Sequence, residues 1–331
     1  MSKKPPVSSA PPNQNGGFMG WLKRNRYYFL AFFLPIVLLY IAYAIFGMYP
    51  FGEQSVLCLD LNGQYVYYFE AIRDAFHGDG SILYNWSRNL SGGYQGVIGY
   101  YLASPLTLIV VLLPRTMILG ALYIMILCKL GLASVTFCYY VRKAKHLQPI
   151  YSVILGTMFG MCAYGVIQTI DPMWLDGLIC LPMIVLGIEY LVDDGRKLNF
   201  IIPLALICIA NFYIGFMCCI FTAIYFIVYV IFLSPKMDMK PQPFLTGIIG
   251  YALVIAAGVF GFLFYKADDA AENKASLRTY TILCIVGIFV YAAYYLFIQK
   301  KEERKEANKI IGSAVRIALC AGVAVACAAF M

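Results

Sequence analysis

Charge is scarce in this 331-residue chain. Lys, Arg, Asp and Glu make up 13% of it and apolar residues 62%, whereas roughly a quarter of an ordinary soluble domain is charged. A water-soluble globular domain is excluded, because so little polar surface cannot cover so much apolar surface. Histidine is scarcer still. The two present, His77 and His146, sit in a turn and in a basic loop, and neither suggests a metal site alone. There is no CxxC pair among the eleven cysteines, ten of which lie in apolar runs with only Cys58 near a polar loop. That pattern argues against a disulfide framework or a thiolate metal site. HExxH, GxSxG and internal repeats are absent, and "SGGYQG" lacks the strand-to-helix setting of a phosphate loop.

Long apolar runs are what the chain has instead. About 20 apolar residues in a helix cross a hydrocarbon core of about 30 Å. Such runs occur at 27–48, 116–141, 148–168, 177–192, 198–210, 214–233, 245–265, 279–299 and 310–331. The expectation is an all-α polytopic membrane protein. The first run is longer than a signal-peptide core and is followed by no small-residue cleavage site, so it reads as an uncleaved span. The residues before it, 1–22, are rich in Pro, Ser, Asn and Gly and read as a disordered cytoplasmic tail, leaving 23–331 as the membrane domain.

The run at 99–114, "GYYLASPLTLIVVLLP", is short and carries Pro105 and Pro114, so it suits an interfacial or re-entrant segment as well as a span. Positive charge discriminates between the two. If the tail is cytoplasmic and 99–114 does not cross, 17 Lys and Arg fall inside and 6 outside; if it crosses, 9 fall inside and 14 outside. The first arrangement is favoured, with the N-terminus in the cytoplasm and the chain in the cell membrane. The net charge of +8 is then an orientation signal facing anionic lipid, with nothing to suggest a nucleic-acid partner.

That topology gathers the outer loop 49–98, "TIDPMWLD" (169–176) and "NFYIGF" (211–216) on one face. In the loop, Leu61, Tyr65, Phe69, Ile72 and Phe76 recur at helical spacing, which predicts an amphipathic helix along the membrane surface ended by "HGDG". Asp60 stands just before it. By position alone it reads as a helix N-cap or as a working carboxylate, with Gln64 one turn on.

The segments "DLNGQYVYYFEAIRDAF", "YNWSRNLSGGYQG", "YYLASPLTLIVVLLP", "CKLGLASVTFCYYVRK" and "MFGMCAYGVIQTIDPMWLDGLICLPMIVLGIEYLV" occur in this order. Together they resemble the amino-terminal part of the YfhO family of bacterial membrane proteins, itself similar to the GT-C glycosyltransferases. The likeness covers roughly residues 28–233. Family members are typically longer, and the chain stops in an apolar run at Met331, which suggests a fragment or a divergent short member.

The resemblance implies a GT-C-like bundle. It implies transfer of a sugar from a polyprenyl-phosphate donor to an envelope polymer, for example a teichoic acid, or to a lipid on the outer face. Such enzymes keep an acidic residue soon after the first span, the place Asp60 holds, and Asp60 would be the base, with Gln64 orienting it or binding a sugar hydroxyl. Each further candidate has two readings. Trp86, Tyr94, Tyr100 and Tyr101 would stack on a sugar or merely line the membrane interface. Arg88 would hold the lipid phosphate or be a solvated loop charge. Asp171 and Asp176 would bind a second substrate or a divalent cation, or form a Pro turn and a helix cap. Lys129, in midspan, would meet the donor phosphate or a buried carboxylate. Glu189 and Arg316 are expected to reach the interface. Transport of a lipid-linked saccharide and a non-catalytic envelope scaffold are the competing functions.

Overall fold

The computed structural model describes residues 18–86, 92–234, 241–267, 273–298 and 301–329. The structure is that of an all-α polytopic membrane protein. In chain order its α-helices are α1 (Phe18–Ile45), α2 (Val66–Phe76), α3 (Gln95–Val97), α4 (Leu108–Leu112), α5 (Ile118–Ala144), α6 (Pro149–Gly160), α7 (Ala163–Ile167), α8 (Leu175–Asp194), α9 (Leu198–Ala210), α10 (Phe212–Val228), α11 (Pro241–Lys266), α12 (Lys274–Ala293) and α13 (Lys301–Cys327). Only a two-residue antiparallel pair, Tyr84–Asn85 with Gly92–Gly93, is extended strand among the described residues.

Among the described residues, six helical segments are long and apolar enough to cross a bilayer: Met19–Ile45, Arg115–Ala144, Pro172–Asp194, Phe212–Leu233, Lys274–Ala293 and Lys309–Cys327. Two runs expected to be spans are shorter helices. α6 has 12 residues and α9 has 13, or roughly 18–20 Å at 1.5 Å per residue. The first ends where the chain breaks at Met161 and Cys162 before α7; the second ends where Asn211, in extended conformation, caps α10. The segment at 99–114 is bent by 96° between Gln95–Leu102 and Pro105–Leu112. Neither arm alone is long enough to cross, so the segment is either a broken span or a re-entrant one. α1 begins at Phe18, so 18–22 are helical where a disordered tail was expected, because "FMGWL" continues the helix-compatible run. The rest of that tail, 1–17, lies outside the described residues.

The chain packs as two compact units. One comprises 1–73 and 108–179; the other comprises 74–107 and 180–331. In the first, α1, α5 and α6 pack together. Ala31, Cys138 and Val153 form a dry contact, with Tyr27, Tyr28, Leu34 and Val135 around it. Small residues permit this approach: a Cβ on Gly156 would come within 2.5 Å of the Ser134 carbonyl oxygen, and one on Gly160 within 2.8 Å of that of Leu130. Glycines four residues apart let helix backbones touch where lipid offers no hydrophobic drive for association.

In the second unit, α9 packs on α10 and α13, and α11 on α12 and α13. The Asn211 side chain accepts a hydrogen bond from the Ile214 amide and donates one to the Tyr100 carbonyl. Carboxylates are buried here too. Glu189 is 6% exposed and accepts a bond from the Tyr225 hydroxyl at 2.9 Å, correcting the expectation that it reaches the interface. Asp193 accepts bonds from Tyr229 and from Ser234. Arg316 is exposed, as expected.

Candidate functional site

The site is built in the first unit, where the chain leaves α1 and turns into the surface helix. Leu59 adopts a left-handed backbone (φ 48°), uncommon for a residue with a branched side chain. That turn is what starts the helix at Asp60, whose own backbone is already helical (φ −66°, ψ −28°). An N-cap needs a non-helical backbone for its side chain to reach the amides of the first turn. Asp60 accordingly makes no capping bond, and its exposed carboxylate is left for other partners.

The helix opens with a π-turn, Leu61–Tyr65, closed by a bond from the Val66 amide to the Leu61 carbonyl. Such a turn, bonded from i to i+5, brings the residue five positions on closer than an α-turn does. The Tyr65 hydroxyl therefore donates to the Asp60 carboxylate at 3.3 Å, while Gln64 donates to the Tyr68 hydroxyl at 2.8 Å. The predicted apolar stripe is real along most of its length: Leu61, Tyr65, Phe69 and Ile72 are buried, and only Phe76 is exposed.

Asp171 lies in the same unit, more than a hundred residues further on. It precedes the 3-10 turn Pro172–Trp174, again without a side-chain capping bond. Burial pushes the Asp171 carboxyl up from the ordinary carboxylate range; the Tyr65 hydrogen bond opposes this and the Asp60 charge adds to it.

Beneath that turn lies an ion pair. The Lys129 ammonium donates to the Asp176 carboxylate at 2.7 Å and to the Pro172 carbonyl at 2.8 Å. Their side chains are 1% and 8% exposed. Of the two partners expected for Lys129, the structure supplies the carboxylate. Asp176 sits in the first turn of α8 and pairs with Lys129. The pair ties the Asp171-bearing turn to α5. Among the described residues no group of three or more His, Cys, Asp or Glu could hold a metal ion. At the edge of the surface helix, Arg73 donates to the Leu113 carbonyl at 2.8 Å and Arg115 stands 3.7 Å from Glu70.

Of the expected site residues, Asp60, Gln64, Lys129, Asp171 and Asp176 belong to this unit. Trp86 belongs to the second unit, where it is 80% exposed with its ring edge-on to Tyr84. Tyr94 is 0% exposed and has no face to offer a sugar; Tyr100 packs against Phe212 and Tyr213. Arg88 lies outside the described residues. Tyr65 is the residue that sequence reasoning misplaced. It was counted in the apolar stripe, and its hydroxyl becomes relevant only once the turn is known to be a π-turn.

The match to the family described as bacterial membrane protein YfhO spans residues 31–292 of the chain. The chain belongs to that family. No curated protein and no solved structure matches it. The match takes in Asp60, Asp171 and the whole Lys129–Asp176 contact, so the site lies within the family's own portion of this YfhO chain.

Proposed function

We propose that this YfhO protein is a GT-C-like glycosyltransferase that moves a sugar from a polyprenyl phosphate to an envelope polymer, such as a teichoic acid, or to a lipid. The acceptor hydroxyl oxygen attacks the anomeric carbon, the new glycosidic C–O bond forms, and the bond from that carbon to the phosphate oxygen breaks. The electron pair leaves with the polyprenyl phosphate, and the hydroxyl proton passes to Asp60 as general base. The observation that carries this reading is the carboxylate of Asp60: exposed, spent on no helix cap and, among the described residues, in no ion pair. Gln64 is proposed to contact the substrates. The test is sugar transfer by the full-length gene product carrying Asp60→Asn, which keeps shape and removes the base.

The outer-face location is part of the proposal, with the N-terminus in the cytoplasm. Single cysteines at positions 81 and 301 in a cysteine-free background check it. An impermeant thiol reagent reaches 81 from outside and reaches 301 only after the membrane is opened. Labelling of 301 from outside would move the site to the other face.

One observation favours a second reading. Charges buried inside spans mark ion or substrate pathways in transporters, and Lys129–Asp176 is such a pair. Proteoliposomes that flip a lipid-linked saccharide without consuming it would select transport over transfer.

A further inference from the structure

We infer that Arg26 and Arg142 form a seat for the phosphate of an anionic glycerophospholipid, at the amino end of α1 in the first unit. The inference is independent of the proposed sugar transfer and concerns the other end of that helix.

α1 and α5 run antiparallel, since Tyr28 meets Tyr139 and Tyr43 meets Tyr123. The start of one span therefore lies beside the end of the other. That end collects Lys23, Arg24 and Arg26 from α1, and Arg142, Lys143 and Lys145 from the end of α5. No Asp or Glu occurs in residues 1–52 or 108–170, so α1, α5 and α6, which pack together, carry none. Asp176 is paired with Lys129, which stands 13 residues and roughly 20 Å along α5 from Arg142. Charges at membrane depth call for a counter-charge, and no carboxylate of these three helices supplies it.

Two of the six cations are posed around one ring. The Arg26 guanidinium lies 4.8 Å from the centre of the Tyr27 ring and donates to its hydroxyl at 3.0 Å. The Arg142 guanidinium lies 6.0 Å from the same centre and 4.8 Å from that of Tyr28. A guanidinium resting on aromatic rings keeps its edge N–H groups for an anion. One such donor, Arg142 Nη1, is buried and has no hydrogen-bond partner among the described residues. A buried donor left unmade is costly. A phosphate oxygen taken up between the two arginines satisfies that donor and supplies the missing negative charge.

The same face continues downward as apolar surface, which is why the phosphate is a lipid's. Leu30, Phe33 and Val37 follow Arg26 by four, seven and eleven residues, on one face of the helix, and all three are exposed. A headgroup at the arginines lays an acyl chain along these side chains, whereas inorganic phosphate leaves them unused. Basic pockets between membrane helices take anionic headgroups in this way.

The full chain, stripped of lipid in detergent, is titrated with dioleoyl phosphatidylglycerol or dioleoyl phosphatidylcholine and read by native mass spectrometry. The parent should bind the anionic lipid more tightly than the zwitterionic one. Arg142→Gln and Arg26→Gln should each weaken phosphatidylglycerol binding roughly fivefold and leave phosphatidylcholine nearly unchanged. Arg24→Gln, on another face of α1, should weaken it less than about twofold. A loss equal to that of Arg26→Gln would mean diffuse attraction to a basic surface, and the seat would be rejected. Equal binding of the two lipids by the parent, or no loss on Arg142→Gln in a folded protein, also overturns the inference. Should Arg142→Gln fail to fold, the exposed Arg26→Gln decides alone. Millimolar inorganic phosphate should not displace the bound lipid; displacement would make the seat a free-anion site and sink the lipid assignment.

Discussion

The two units of the chain handle their carboxylates differently. In the second, two acids have hydroxyls of their own: Glu189 has Tyr225, and Asp193 has both Tyr229 and Ser234. In the first, the exposed Asp60 takes a 3.3 Å bond from Tyr65, while Asp176 is buried against the Lys129 ammonium, which also donates to the Pro172 carbonyl. A buried acid supplied with its own donor is a solved packing problem. An exposed acid with a single 3.3 Å bond is left open to other partners, and an open carboxylate is what proton-transfer chemistry uses. Where the donors run short is therefore more informative than where acids are buried.

The strongest way to break this contrast is Asp60→Asn in the full-length protein. Loss of a positioned base should lower sugar transfer by about 10²–10⁴-fold with normal expression and an unchanged melting temperature. Because Asp60 makes no capping bond, Asp60→Ala should be equally stable. Near-normal transfer by either variant would leave Asp60 without a catalytic role.

Lys129→Met comes next. It strands the Asp176 carboxylate in a dry interior, which should destabilise the protein by about 3–5 kcal/mol. The double variant Lys129→Met/Asp176→Leu should recover most of that loss in thermal unfolding in detergent. A single variant as stable as the parent would mean that the pair does not hold the Asp171 turn.

A smaller effect separates the tyrosines. Tyr225→Phe removes a donor from a buried carboxylate and should cost about 1–3 kcal/mol. Tyr65→Phe, beside the exposed Asp60, should cost under about 1 kcal/mol, since water can replace the lost bond. Equal losses would erase the distinction between the two units.

The smallest effect is expected at the turn that presents the site. Leu59→Gly relieves a left-handed backbone worth about 1–2 kcal/mol, less the added freedom of glycine in the unfolded chain, about 0.5–1 kcal/mol. A melting temperature raised slightly or unchanged fits; a clear fall would mean that the Leu59 side chain itself contributes.

The fold class was legible in the sequence because hydrophobic runs of bilayer length are a local property, readable one segment at a time. So was the surface helix, whose apolar stripe repeats at helical spacing and is buried except at Phe76. The two short helices α6 and α9 were not, because an apolar run does not reveal where its backbone breaks. The oddity of Lys129 was visible as a charge in an apolar run. Its partner was not, since Asp176 lies 47 residues further on.

By itself, then, the sequence determined that this is a helical protein of the membrane, which family it belongs to, and that Asp60, Asp171, Asp176 and Lys129 needed explaining. Only the tertiary structure decided which of them meet. It joined Lys129 to Asp176, and it set Asp60 beside the Tyr65 phenol at the π-turn. Partner choice depends on backbone geometry and long-range packing, and a shift of one residue in a helical turn, from Gln64 to Tyr65, changes which side chain faces the acid.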